Sequence, residues 1–161
     1  MTTLEKIYTD DPDIKYKSTT IKPVRTKSEI DGLLSRWGIK TYGWHYDEST
    51  FDIELRFQLN EKFQEREINP WVAIRPPPIW RKATRKNPEH IDIAVSMRTL
   101  FWYIKSQLEM AYAMQSRKTI AFLPYVQTKD GQVKDLVGHF LTALPAPATE
   151  NKREKNTVID V

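Results

Sequence analysis

The residues best equipped to hold a ligand gather in one stretch. Between residues 71 and 87 the chain carries Arg75, Arg81, Lys82, Arg85 and Lys86 with no acid among them, and Trp80 stands directly before Arg81 and Lys82. A flat ring among cations suits single-stranded nucleic acid, because the ring stacks on a base while the cations meet phosphates. On this reading Trp80 stacks, Lys82, Arg85 and Lys86 neutralise phosphates, and Arg75 and Arg81 position the strand. Binding would then fall steeply with salt. A tryptophan–arginine anchor for a protein partner has the same composition, and a solvated basic loop is the plain alternative. Two further sets could join such a ligand. Tyr42, Trp44 and Tyr46 alternate and so share one face of a strand. Placed on the sheet face opposite the helices, they would stack bases as open-faced sheets do, or pair with another subunit. Arg98, Trp102 and Lys105 give a helix a second polar-aromatic side, which could equally be a snorkelling solvent face.

The same inventory speaks against a reaction. The chain has no cysteine, which removes thiol nucleophiles, thiolate metal sites and disulfides. Five glycines in 161 residues leave little for a phosphate-cradling loop, and the histidines, His45, His90 and His139, have no metal-ligand spacing. Asp52 and Glu54 lie two apart on a strand and could seat magnesium for a nuclease, although a solvated strand face shared with Arg56 explains them as well. Lys105 and Glu109 have the four-residue spacing of a helical surface ion pair. No cofactor and no metal is expected, and a non-catalytic role is favoured over a metal-dependent nuclease.

These residues need elements to position them. Tyr16 to Val24 reads as a first strand. Thr26 with Glu29 has capping-box spacing, Ile30, Leu33, Leu34 and Trp37 follow at helical spacing, and Gly38 can end the helix in the left-handed region, which predicts a helix over about 27–37. Ile39 to Tyr46 reads as a strand, then a polar turn, then Phe51, Ile53, Leu55, Phe57 and Leu59 in strict alternation: a hairpin whose apolar set faces the core. Asn69 to Arg75 reads as another strand, stopped by Pro76–Pro77–Pro78, and 76–90 as a basic loop with Asn87 as a helix cap. Ile93, Met97, Leu100, Ile104, Leu108 and Ala111 form one stripe of a long helix over about 89–115. Ile120 to Val126 packs on the core, Lys129–Asp130–Gly131 turns, and a short helix follows. The expected fold class is α+β: a small antiparallel or mixed sheet covered on one face by a long helix, in the order β-α-β-β-β-α-α.

The length suits one domain, assigned to 15–144, with an acidic tail at 1–14 and a flexible tail at 145–161. A domain of this size buries roughly 68–70% of its extended surface and needs no metal to fold. The net charge of +4 comes from 25 basic and 21 acidic residues. Residues 15–44 add a second basic stretch. No secretory signal and no membrane-spanning run is read, so a cytoplasmic protein is expected.

The run Pro23–Val24–Arg25–Thr26–Lys27–Ser28–Glu29–Ile30, then Leu33–Leu34 and Gly38 and the strand ending near Leu59, resembles small uncharacterised proteins encoded by tailed phages and prophages. Arg98 to Glu109 is similar to that family's long helix, and Phe122–Leu123–Pro124–Tyr125 with Asp130–Gly131 to its closing segment. The resemblance spans about 18–140. It implies a phage accessory protein acting in DNA replication, recombination or takeover of the host, in the host cytoplasm. The chain departs from the pattern at Pro76–Pro78 and in its tail, so the resemblance does not by itself carry a shared binding site to Trp80. The leading functional expectation is a non-catalytic protein binding single-stranded DNA. A factor that binds or inhibits a host or phage enzyme, such as a replication protein, is the alternative, and a homo-oligomer is compatible with either.

Overall fold

In the computed structural model, which describes residues 4–145 without the side chains of 137–141, a three-stranded antiparallel sheet forms the centre. Its strands are β2 (Tyr42–Asp47), β3 (Asp52–Gln58) and β6 (Trp71–Ile74), in the order β2-β3-β6. Strand β3 alternates as its sequence demands: Ile53, Leu55 and Phe57 are buried while Asp52, Glu54 and Arg56 are not. Two helices cover that buried face, α1 (Pro23–Arg36) and α2 (Ile93–Ala113). The α2 stripe of Met97, Leu100, Ile104, Leu108 and Ala111 is buried along a helix about 32 Å long. Ile30, Leu33 and Leu34 of α1 complete the contact. The protein is thus α+β, with helices on one face of its central sheet.

A second sheet lies beside the first. It joins β1 (Ile7–Tyr8), β7 (Ile79–Arg81) and β8 (His90–Ile91), with β1 parallel and β8 antiparallel to β7. Ile79 is buried, and its N–H donates to the buried Ser96 hydroxyl of α2 at 3.1 Å. The segment expected to be wholly loop therefore contains a strand, and the acidic segment expected as a tail supplies that strand's neighbour. Between β3 and β6 runs a small hairpin, β4 (Glu61–Phe63) and β5 (Arg66–Ile68), turning through Gln64 and Glu65, both at positive φ. After α2 come α3 (Lys118–Ala121), a 3-10 turn (Leu123–Tyr125), the hairpin β9 (Gln127–Thr128) and β10 (Gly131–Gln132), and α4 (Val133–Ala143). Phe122 is fully buried edge-on to Phe57, and Val126 bridges to Val72 at the free side of β6. No helix among the described residues is long and apolar enough to cross a membrane. The expected C-terminal tail lies, beyond residue 145, outside the described residues.

Helix α1 departs from its expected start. It begins at Pro23, with Lys22 extended before it, as the ring's fixed φ and its clash with the preceding residue require. The capping box is therefore not made. Thr26 is buried inside the first turn with its hydroxyl unpartnered, and Glu29 pairs with Arg98 instead. The expected strand at Tyr16–Val24 is absent for the same reason, because its last two residues belong to the helix. Gly38 ends α1 at φ +78, as its position implied. Helix α2 is capped not by Asn87 but by Asp92, whose carboxylate accepts from the Val95 N–H at 3.1 Å.

Phe122 joins the closing segment to the core, so its removal should cost as much as a buried aromatic elsewhere. Phe122→Ala is expected to lower unfolding stability by about 3–5 kcal/mol, measured by denaturant unfolding; a loss under about 1 kcal/mol would mean that residues 118–126 are not part of the core.

Candidate functional site

The hairpin register sorts the candidate residues. Tyr42 pairs with Phe57, Trp44 with Leu55 and Tyr46 with Ile53, and residues paired across a ladder point to the same side. Tyr42, Trp44 and Tyr46 therefore face the helices and pack against the core, contrary to the expectation that they line the opposite face. The indole N–H of Trp44 donates to Asp31 of α1 at 2.7 Å. Their physical role is to tie the hairpin to α1. Arg98 and Lys105 are likewise engaged within the fold. Arg98 pairs with Glu29 and lies over the Phe101 ring at 4.6 Å, while Lys105 pairs with Glu109 and lies over Trp102 at 5.2 Å. Tyr16 also stacks on the Trp102 indole, with the rings 9° from parallel.

The outer face of the central sheet carries a different set. Gly43 and His45 of β2, Asp52, Glu54 and Arg56 of β3, and Trp71 at the start of β6 with Arg75 just beyond its end all lie there. Together with Thr41, Tyr42 and Trp44 they line a groove of about 650 Å³, and a second hollow of about 380 Å³ opens between Arg56, Trp71, Val72 and Gln127. Trp71 and Arg56 border both hollows and so stand in the middle of a track across the sheet. Trp71 is 40% exposed, a large share for a tryptophan, and no ring stacks on it among the described contacts. Gly43 faces Arg56 in register and has no atom within 4 Å of where a Cβ would sit, which leaves the floor low beside the arginine. The sequence signal for this placement is parity: Trp71 is two residues from Ala73 and four from Arg75, so it shares their face.

Ion pairs hold the groove's charges in place. Arg75 donates to Asp52 at 2.7 Å and to Glu54 at 3.1 Å, Arg56 pairs with the other oxygen of Glu54, and His45 Nε2 lies 2.8 Å from Asp52. The two carboxylates expected to share a face do so. The guanidinium of Arg75 occupies the space between them that a divalent cation would take, and among the described residues no three histidine or acidic side chains form a metal-holding group. Asp47, directly across from Asp52, is satisfied separately by Ser49 and Thr50, whose hydrogen bonds hold its carboxyl below the ordinary range.

The basic stretch is neutralised from outside itself. Arg81 binds Asp92 at 2.6 Å and Lys82 binds Asp10 at 2.7 Å. Trp80 is half-buried in β7, with the Lys6 ammonium 4.1 Å over its ring. Only Arg85 and Lys86, on the exposed turn that closes from Thr84 to Asn87, have no counter-charge among the described residues. The candidate residues thus form no single patch. Arg75 belongs to the outer face, where Tyr42 and Trp44 also border its groove, Trp80 to Lys86 belong to the second sheet and its loop, and Tyr46, Arg98 and Lys105 are engaged within the fold.

The Arg75 hydrogen bond, and after it the His45 charge, hold the Asp52 carboxyl below its ordinary value of 3.8. A depressed carboxylate favours the folded state above its unfolded pKa, and that contribution disappears as pH falls through the folded value. In Arg75→Ala the Asp52 titration, followed by NMR of its carboxyl carbon, is expected to move up toward 3.8; an unchanged midpoint would mean that the bridge is not populated in solution.

Compared with family models, with curated proteins and with solved structures, the chain matches none of them.

Proposed function

We propose that the chain is a non-catalytic protein that binds single-stranded DNA across the outer face of its central sheet. The observation that carries this reading is the exposed Trp71 beside Arg56, set between two hollows on a sheet whose other face is closed by helices. Single strands are recognised by splaying bases onto aromatic rings and guanidinium planes and by hydrogen bonds to base edges. Trp71 offers the ring and Arg56 the plane. Asp52 and Glu54 offer acceptors for exocyclic amines, and Gly43 gives a base room to lie flat. The sequence resemblance to phage-encoded proteins points to a place in phage replication or recombination.

The ion pairs reshape the electrostatic expectation. A cation already matched by a carboxylate releases few counterions when it meets phosphate, so stacking supplies more of the affinity than charge. With two phosphates neutralised, the slope of log K against log salt is roughly −1.4, far shallower than the basic stretch by itself implies. The same charge balance favours a second reading, a protein partner docked on Trp71 and the arginines, since such anchors are common at protein interfaces.

Fluorescence anisotropy with labelled single-stranded DNA, duplex DNA and RNA separates the two. The expected result is preference for the single strand with a shallow salt slope, and Trp71→Ala weakening it about fivefold or more, the loss of at least one stacked base. No binding by the folded parent at low salt overturns the nucleic-acid reading and leaves the protein partner.

A further inference from the structure

The N-terminal segment lies on the second sheet in an arrangement that copies a bound ligand. Lys6 places a cation over the Trp80 ring at 4.1 Å, where a base would stack. Asp10 places a carboxylate 2.7 Å from the Lys82 ammonium, where a phosphate oxygen would sit. Glu89 draws in Lys6 at 2.6 Å and the Tyr8 hydroxyl at 2.7 Å. The segment is acidic, with Glu5, Asp10, Asp11 and Asp13, and the surface under it holds Lys82 with Arg85 and Lys86 further along the same loop.

What holds the segment is slight. The ladder to β7 has two residue pairs, Ile7 with Ile79 and Tyr8 with Trp80, extended by one bond from the Thr9 N–H to the Trp80 carbonyl at 2.8 Å. The Lys82 and Asp10 side chains are 63% and 60% exposed, and exposed pairs hold weakly. The end of the segment, by contrast, is fixed: Tyr16 turns the chain at φ +63 and stacks on Trp102. With residue 16 held, release of residues 4–13 would uncover the buried Thr9 together with the Trp80 ring.

We propose that residues 4–13 form an autoinhibitory strap over a second nucleic-acid contact face made by Trp80, Lys82, Arg85 and Lys86. The inference rests on the single-stranded DNA reading and adds a site and its regulation to it. A polyanion competes with Asp10 for Lys82, and a base competes with Lys6 for the Trp80 ring. The chain thereby discriminates against weak or short anions that cannot displace both contacts together.

The disulfide comparison keeps charge constant. The protein has no cysteine of its own, so Ile7→Cys with Ile79→Cys, partners in the ladder, gives one possible disulfide. Anisotropy with labelled oligothymidylate is compared for the oxidised and reduced forms of the same protein, with thermal melting to check that both are folded. The reduced form is expected to bind about two- to fivefold more tightly, the factor that loss of exposed pairs allows, and Trp80→Ala should erase the difference. Asp10→Ala with Glu89→Gln is the second route to release, useful because Ile79 is buried, and should tighten binding by a similar factor. Equal affinity of oxidised and reduced forms, with binding still lost in Trp71→Ala, overturns the strap but not the DNA reading. An effect of the lock without any effect of Trp71→Ala supports the strap and overturns the outer-face site. Absence of binding in every form overturns both.

Discussion

The register between β2 and β3 is the constraint on which the site depends. Ile53, Leu55 and Phe57 must enter the core, and each is paired with an aromatic residue of β2, so Tyr42, Trp44 and Tyr46 go in with them. A shift of one residue would turn every β2 side chain over, expelling three aromatics and burying His45. The indole bond to Asp31 and the Lys27 ammonium, 5.5 Å over the Trp44 ring, reinforce the choice from α1. The outer face of β2 and β3 follows from that sorting, with Gly43 and His45 in place of aromatics and Asp52, Glu54 and Arg56 on the middle strand, and the β3–β6 register adds Trp71.

Charge pairing is the second organising feature, and it works across long stretches of chain. Arg75 reaches back to Asp52 and Glu54, Arg98 to Glu29, and Lys82 to Asp10. The exposed pairs among them add little stability, and their consequence is orientation. An arginine held by a carboxylate keeps its plane fixed, so less side-chain freedom is lost when a ligand stacks on it. The same pairs lower the net positive field of both faces. A protein built in this way selects for ligands that bring stacking and hydrogen-bonding groups as well as charge.

Local patterns in the sequence carried much of the fold. The alternation of β3, the stripe of α2, Gly38 and the Lys129–Gly131 turn all appear where residue order places them, because each depends on neighbours a few positions away. The misses have equally physical causes. The β4–β5 turn uses Gln64 and Glu65 at positive φ, where glycine or asparagine would have announced it. Pro23 moved the start of α1 ahead of the apparent capping box. The basic stretch looked uncompensated because its partner Asp10 lies 72 residues from Lys82. The candidate site was legible only in part for the same reason: Arg75 and the Asp52–Glu54 pair could be placed by parity, whereas the face of Tyr42, Trp44 and Tyr46 depended on a register that no local pattern states.

The outer-face account is tested most directly by NMR of the five tryptophan indoles during titration with oligothymidylate. Each indole N–H reports a different place, and Trp37, which packs against the core away from the groove, is the internal control. The account predicts saturable movement of the Trp71 indole together with the Gly43 and Ala73 amides, while the Trp37 indole stays still. Binding that leaves Trp71, Gly43 and Ala73 unmoved would contradict it.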